Sequence, residues 1–241
     1  MIRMFNGALY KSRWTMLVLL GVAFLGSPFV NQVYASEITF TFSGEISSIT
    51  NDVGATSTFG TGTFKTGDTV SASFSFDPTA SPTYNQNHEA IYDAVITSYN
   101  ATTSGGYSAS ATTGQITMYD NYGSPEYDRI RAGMFQESPY TLTGAPVDNL
   151  LLLDFVVSLQ DPNQTAFNGI GLPSTLDLSK FDLNARYSAM QFVFANSKTD
   201  GDSFRLVTAQ ITSVSVPEPT TLLLLAFGLI GVAGARKRFE R

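Results

Sequence analysis

The chain of 241 residues has no cysteine, one tryptophan and one histidine. Without cysteine there is no thiol nucleophile, no thiolate-bound zinc, no disulfide framework and no lipid-modified cysteine. A single histidine, His88, rules out a histidine-cluster zinc site. It also leaves a Ser–His–acid triad one possible base, beside Glu89 or Asp93, and no serine sits in a G-x-S-x-G elbow. Charge is scarce, at 14% of residues, and unevenly placed. Residues 36–216 hold seven basic and 18 acidic side chains, a net charge of −11. Such a surface repels nucleic acid and anionic lipid at long range, so no nucleic-acid partner is expected.

The basic residues that remain are at the two ends. Arg3, Lys11 and Arg13 precede an apolar run at residues 16–25, and Pro28 follows it. Ten apolar residues make about 15 Å of helix, half of a hydrocarbon core of about 30 Å. A basic start, a short apolar run and a small residue at Ala35 form a secretory signal, residues 1–35, with cleavage expected between Ala35 and Ser36.

The other end reads SVPEPTTLLLLAFGLIGVAGARKRFER. Residues 220–235 carry no charge and make about 24 Å of helix, which the flanking basic side chains can extend by snorkelling. A transmembrane helix is expected there. Arg236, Lys237, Arg238 and Arg241 form a basic tail that stays cytoplasmic by the positive-inside rule. The basic N-terminus stays on the same side, so both ends place residues 36–216 outside the cytoplasm. Pro217 and Pro219 restrict φ and keep the segment before the helix extended, with Glu218 between them.

Pro217, Glu218 and Pro219, the apolar run with glycines in its second half, and the terminal basic cluster together resemble the PEP-CTERM sorting signal. That resemblance implies an exported protein of a Gram-negative bacterium that makes extracellular polysaccharide. It also implies a partner, an exosortase-type membrane enzyme that processes the chain near the Pro-Glu-Pro motif. Residues 217–241 are thus expected to hold the chain in the inner membrane with a periplasmic ectodomain, until processing passes it to the cell surface or matrix. The stretches GDTVSASFSFDP (67–78), ITMYDNYGSPEYDRIRAG (116–133) and LPSTLDLSKFD (172–182) are similar to uncharacterised ectodomains of PEP-CTERM proteins, for which no activity is implied.

Between the ends, alternation dominates. Ile38, Phe40 and Phe42 share one face, as do Val70, Ala72, Phe74 and Phe76, and again Met190, Phe192 and Phe194. Ile116 and Met118 repeat the pattern. Period two with Ser, Thr, Phe and Val marks half-buried strands. Residues 150–159 (LLLLDFVVSL) are apolar on both faces except at Asp154 and read as an interior strand. Residues 204–216 read as a long final strand running directly into the C-terminal signal. Turn signals such as Asp77-Pro78, Gly123-Ser124-Pro125 and Asp161-Pro162-Asn163 separate these runs. Residues 88–98 fit a short helix, with residues 95–97 fitting a strand equally well, and residues 43–67, rich in Ser, Thr and Gly, have room for a long loop within them. The expected fold for residues 36–216 is all-β: an antiparallel β-sandwich, jelly-roll-like, flanked by the signal helix and the transmembrane helix.

Chemistry is thinly signalled, and no catalytic residue, cofactor or metal is assigned. Glu45, Glu89, Glu126 and Glu137 could supply a glycosidase pair, but no spacing places two of them together. Asp120, Glu126 and Asp128, or the turn Asp200-Gly201-Asp202, offer oxygens for calcium without matching an EF-hand loop. Tyr119, Tyr122 and Tyr127 lie close together and suit a carbohydrate face, although tyrosine equally suits strands. The leading expectation is a non-enzymatic surface or matrix protein. A module binding extracellular polysaccharide and a secreted glycoside hydrolase are the alternatives.

Overall fold

A computed structural model describes residues 37–51, 54–135, 140–185, 187–196 and 204–216. Eight main strands follow in order: β1 Ile38–Asn51, β2 Thr69–Phe76, β3 Glu89–Thr103, β4 Gly114–Gly123, β5 Glu126–Phe135, β6 Leu151–Asp161, β7 Ala189–Ala195 and β8 Phe204–Ser215. Each pairs antiparallel with the next, and β8 pairs back onto β1. The result is one closed, up-and-down ring. Closure removes the free edges that an open sheet would present.

The all-β, antiparallel expectation holds. The jelly-roll order does not, because that order needs strands to cross between sheets, whereas here every main strand lies beside its neighbours in sequence. The two layers expected of a sandwich correspond to opposite walls of one ring. The signal helix (1–35) and the transmembrane helix (220–235) lie outside the described residues. Among the described residues, no helix is long and apolar enough to cross a membrane.

The ring is strongly sheared. From Glu45, the ladder runs through Gln210, Ala189, Ser158, Arg131 and Thr117 to Ile91. Ile91 lies five residues before Ile96, which connects through Phe76 to Ile38, seven residues before Glu45. The path therefore closes with an offset of about 12 residues, which requires strands well tilted to the barrel axis.

Phenylalanine fills the interior. Phe42 stacks on Phe74 at 5.7 Å, and Phe155 meets Phe192 edge-on at 4.6 Å. Tyr99 of β3 reaches the opposite wall, 4.8 Å from Phe155. All five side chains are at most 3% exposed. Each such burial contributes about 1.5–3 kcal/mol, and ring pairs add about 1 kcal/mol. One end of the barrel is closed by Phe59 and Phe64, from the connection between β1 and β2, which pack on Phe194 at 5.2 and 5.5 Å.

Bulges shape two stretches whose reading the sequence left loose. Residues 43–67 are more extended than a long loop would be: β1 continues to Asn51, and Gly54–Thr56, Thr58–Phe59 and Phe64–Lys65 are short strands. Ile46 and Ile49 are three apart, which breaks strict alternation, yet both are buried because a bulge between Ile46 and Ser48 resets the phase. A second shift follows Ser43, where a Cβ on Gly44 would run into the Gln210 carbonyl and Met190 Cε. Of the two readings left open for residues 88–98, the strand is observed, as the first part of β3. Its pairing with β4 shifts between Tyr92 and Ile96, around Ala94 at φ 53°.

Candidate functional site

The chain ends define one end of the barrel. β1 begins at Ile38, β8 ends at Ser215, and Thr41 pairs with Ser215. Val214 and Val216 are partly buried against the core. The next residue is Pro217, so no linker separates the barrel wall from the Pro-Glu-Pro segment. A proline cannot donate to a ladder, so a strand is not expected to continue regularly through position 217. Pro217, Glu218, Pro219, Arg236, Lys237, Arg238 and Arg241 lie outside the described residues, as do Ala35, Ser36, Glu137 and the Asp200–Asp202 turn.

The same end carries a projecting flap. The last rung between β2 and β3 is Phe76↔Ile96. Below it β3 continues to Glu89, paired on one side with β4 through Glu89↔Tyr119 and on the other with the short strand Tyr84–Gln86. The β4–β5 hairpin continues likewise to Gly123↔Glu126, past the last rung between β5 and β6 at Asp128↔Asp161.

The structure gathers the three neighbouring tyrosines on this flap. Tyr119 lies 4.8 Å from Tyr122 and 6.2 Å from Tyr127, ring centre to ring centre, and Tyr122 lies 6.0 Å from Tyr127. The Arg129 guanidinium sits over Tyr119 at 5.9 Å and over Tyr187 at 4.4 Å, while its Nε donates to Ser158 Oγ at 2.8 Å. Burial, and then the Glu89 carboxylate, push the Tyr119 phenol up to about 12. At the tip, Tyr84, His88, Asn121, Tyr122 and Glu126 line an open cleft of about 390 Å³.

Of the catalytic candidates, His88, Glu89 and Glu126 line the tip cleft, while Asp93 lies outside its lining. The ring Nδ1 of His88 donates to the Asp120 carbonyl at 2.8 Å. The Asp93 carboxylate accepts from Gln115 at 2.6 Å, Thr83 at 2.7 Å and Tyr140 at 3.0 Å. These bonds, led by the one from Gln115, hold Asp93 below the usual carboxylate range.

The acids around residue 120 serve the backbone. Asp128 accepts from the amides of Asn121 at 3.1 Å and Phe167 at 3.0 Å. Opposite it, Asp161 accepts from the amides of Asn163, Thr165 and Ala166 at 2.7, 2.6 and 2.9 Å, and from the Thr165 hydroxyl at 2.9 Å. Both aspartates are fully buried. Burial pushes Asp161 up, but the bonds from Thr165, Asn163 and Ala166 outweigh it and hold the carboxyl below its ordinary value. Asp120 moves the other way: burial and then the Asp128 carboxylate raise it, opposed only in part by His88. Among the described residues, no group of three or more His, Asp or Glu is placed to hold a metal ion.

Comparison with known proteins bears on the C-terminal segment. Residues 215–238 match the family model of the PEP-CTERM protein-sorting motif. The chain carries a PEP-CTERM sorting signal. The matched segment starts at Ser215, the last residue of β8, so the signal and the barrel wall meet at one residue. The motif indicates an exported protein with a C-terminal anchor and implies an exosortase as processing partner. The match does not extend into the barrel, whose β-rich character agrees with the sequence expectation. No curated protein and no solved structure is detectably similar to the chain.

Sequence reasoning anticipated Tyr119, Tyr122 and Tyr127 as a group and missed Tyr84, Arg129 and Tyr187. Tyr84 and Tyr187 come from other parts of the chain and reach this surface only through the fold, whereas Arg129 lies two residues beyond Tyr127 on β5. Arg129 alternates with buried Ile130 along β5, a strand signal that its charge obscures.

Proposed function

We propose that this protein is an exported, non-enzymatic surface or matrix protein whose C-terminal signal is processed by an exosortase. The match to the sorting motif, abutting the last barrel strand, carries the reading. Residues 1–35 direct export and are removed after Ala35. Residues 220–235 then hold the chain in the inner membrane, with Arg236, Lys237, Arg238 and Arg241 on the cytoplasmic side. The enzyme acts near Pro217, Glu218 and Pro219, and the barrel passes to the cell surface or the surrounding matrix. Replacing all three motif residues by alanine should leave the barrel in the membrane fraction, while the unaltered chain leaves it. Equal partition of the two chains would overturn the proposal.

A second reading, binding of extracellular polysaccharide, is favoured by the tip cleft. Tyr84 and Tyr122 offer flat apolar faces, and Asn87, His88 and Asn121 offer hydrogen bonds. Glu89 and Glu126 suit a neutral rather than an acidic sugar chain. A panel of neutral glycans tests this, and absence of binding to all of them would remove it. Asp128 and Asp161, which face each other across the β5–β6 ladder, are both held by backbone amides and do not supply a free carboxylate pair for the hydrolase alternative.

A further inference from the structure

The barrel has two unlike ends. At the one with the chain ends, Tyr84, Tyr122 and Tyr187 are 39, 38 and 41% exposed. At the other, the aromatics that close the barrel, Phe59 and Phe64, are buried, and the exposed large side chains are Leu151 and Phe204. Tyrosine, with an apolar ring and a polar tip, is the type that concentrates at membrane–water interfaces.

Distance ties this end to the anchor. Val216 packs on the barrel core and the apolar run starts at residue 220. Four residue steps reach at most about 14 Å. The flap extends in the same direction. From Ile96 to Glu89, β3 continues seven residues beyond its last rung with β2, about 23 Å along the strand before tilt is taken into account. A barrel tethered this closely cannot turn its flap far from the bilayer, and the flap is long enough to reach it.

We propose that, while the chain is anchored, the flap tip around Tyr84, His88 and Tyr122 rests in the lipid headgroup layer, and the end closed by Phe59 and Phe64 points away. The proposal rests on residues 220–235 being the anchor. The tip charges select the lipid. The lining of the tip cleft carries two acids, Glu89 and Glu126, and no lysine or arginine, so the fitting surface is zwitterionic rather than anionic. Docking in this way fixes the height at which Pro217, Glu218 and Pro219 are presented, so that a membrane enzyme meets them directly at the bilayer surface.

The absence of cysteine makes the test direct, because any introduced thiol is unique. Asn87→Cys marks the flap tip and Ser108→Cys the opposite end; both positions are exposed. Each full chain is labelled with an environment-sensitive fluorophore and reconstituted into phosphatidylcholine vesicles containing a lipid with a spin label on its headgroup. The expected result is emission at the Asn87 position quenched at least threefold more than at the Ser108 position, with both chains floating with the vesicles. Equal quenching, or stronger quenching at the Ser108 position, overturns the orientation while leaving the anchor intact. A chain that does not float with the vesicles overturns the anchor, and the orientation with it.

Discussion

Asp161 should be the most sensitive acid in the barrel. Its buried carboxylate gathers three backbone amides and one hydroxyl from residues 163–166, at the start of the long connection between β6 and β7. That connection brings Phe167, Ile170 and Phe181 onto the core. Asp161→Ala removes the acceptor and leaves three amides without their partner. At about 1 kcal/mol for each partly solvated donor, the loss is about 3 kcal/mol. Asp161→Asn keeps one oxygen and should cost roughly half of that. The pH dependence follows from the lowered folded-state pKa. Stability from the ionised carboxylate is fully present above the unfolded value of about 4 and is lost as pH falls through the lower folded value. Urea denaturation followed by circular dichroism, at neutral pH and through the acid range, measures both effects. Fluorescence of tryptophan would not serve, since the one tryptophan, Trp14, lies in the segment proposed as the export signal. A loss below about 1 kcal/mol for Asp161→Ala, or an acid profile identical to that of the unaltered protein, would refute the anchoring role.

Three further outcomes are expected. Tyr99→Phe should be neutral or stabilising by up to about 1 kcal/mol in the same assay, because its hydroxyl is buried without a hydrogen-bond partner among the described residues; a loss above about 2 kcal/mol would reveal one. Gly44→Val should cost about 3 kcal/mol or prevent folding, since its side chain would meet the Gln210 carbonyl across the β1–β8 ladder, whereas Ser43→Val, on the exposed side, should change stability by less than about 1 kcal/mol. Arg129→Ala should loosen the flap by removing the guanidinium from between Tyr119 and Tyr187, seen as faster amide exchange at residues 117–122 with little change in global stability; unchanged exchange there would deny it a bracing role.

Much of the barrel wall is legible in the amino-acid pattern. Phe40, Phe42, Phe74, Phe76, Met190, Phe192 and Phe194 alternate with Ser, Thr, Gln and Val, and all seven are buried. Residues 151–159 lie within an interior strand, as the apolar run implies. What periodicity cannot encode is which strand pairs with which, so a jelly roll and a closed up-and-down ring look alike in one dimension. The bulges of β1 hide its second half, because Ile46 and Ile49 fall out of phase. At the flap, proximity in sequence reveals the three tyrosines of the β4–β5 hairpin. Tyr187 joins them only because the β6–β7 connection returns across the outer face of β5. The C-terminal signal is legible in full because its information is linear: two prolines, one acid, an apolar run and a basic tail.

The central claim is that a closed β-barrel is exported and then cut free at the signal that adjoins its last strand. The intact mass of the protein recovered from the cells that make it tests this most directly. A mass starting at Ser36 and ending between Val216 and Thr220 is the predicted result. A chain recovered only with Arg241 still in place would contradict it.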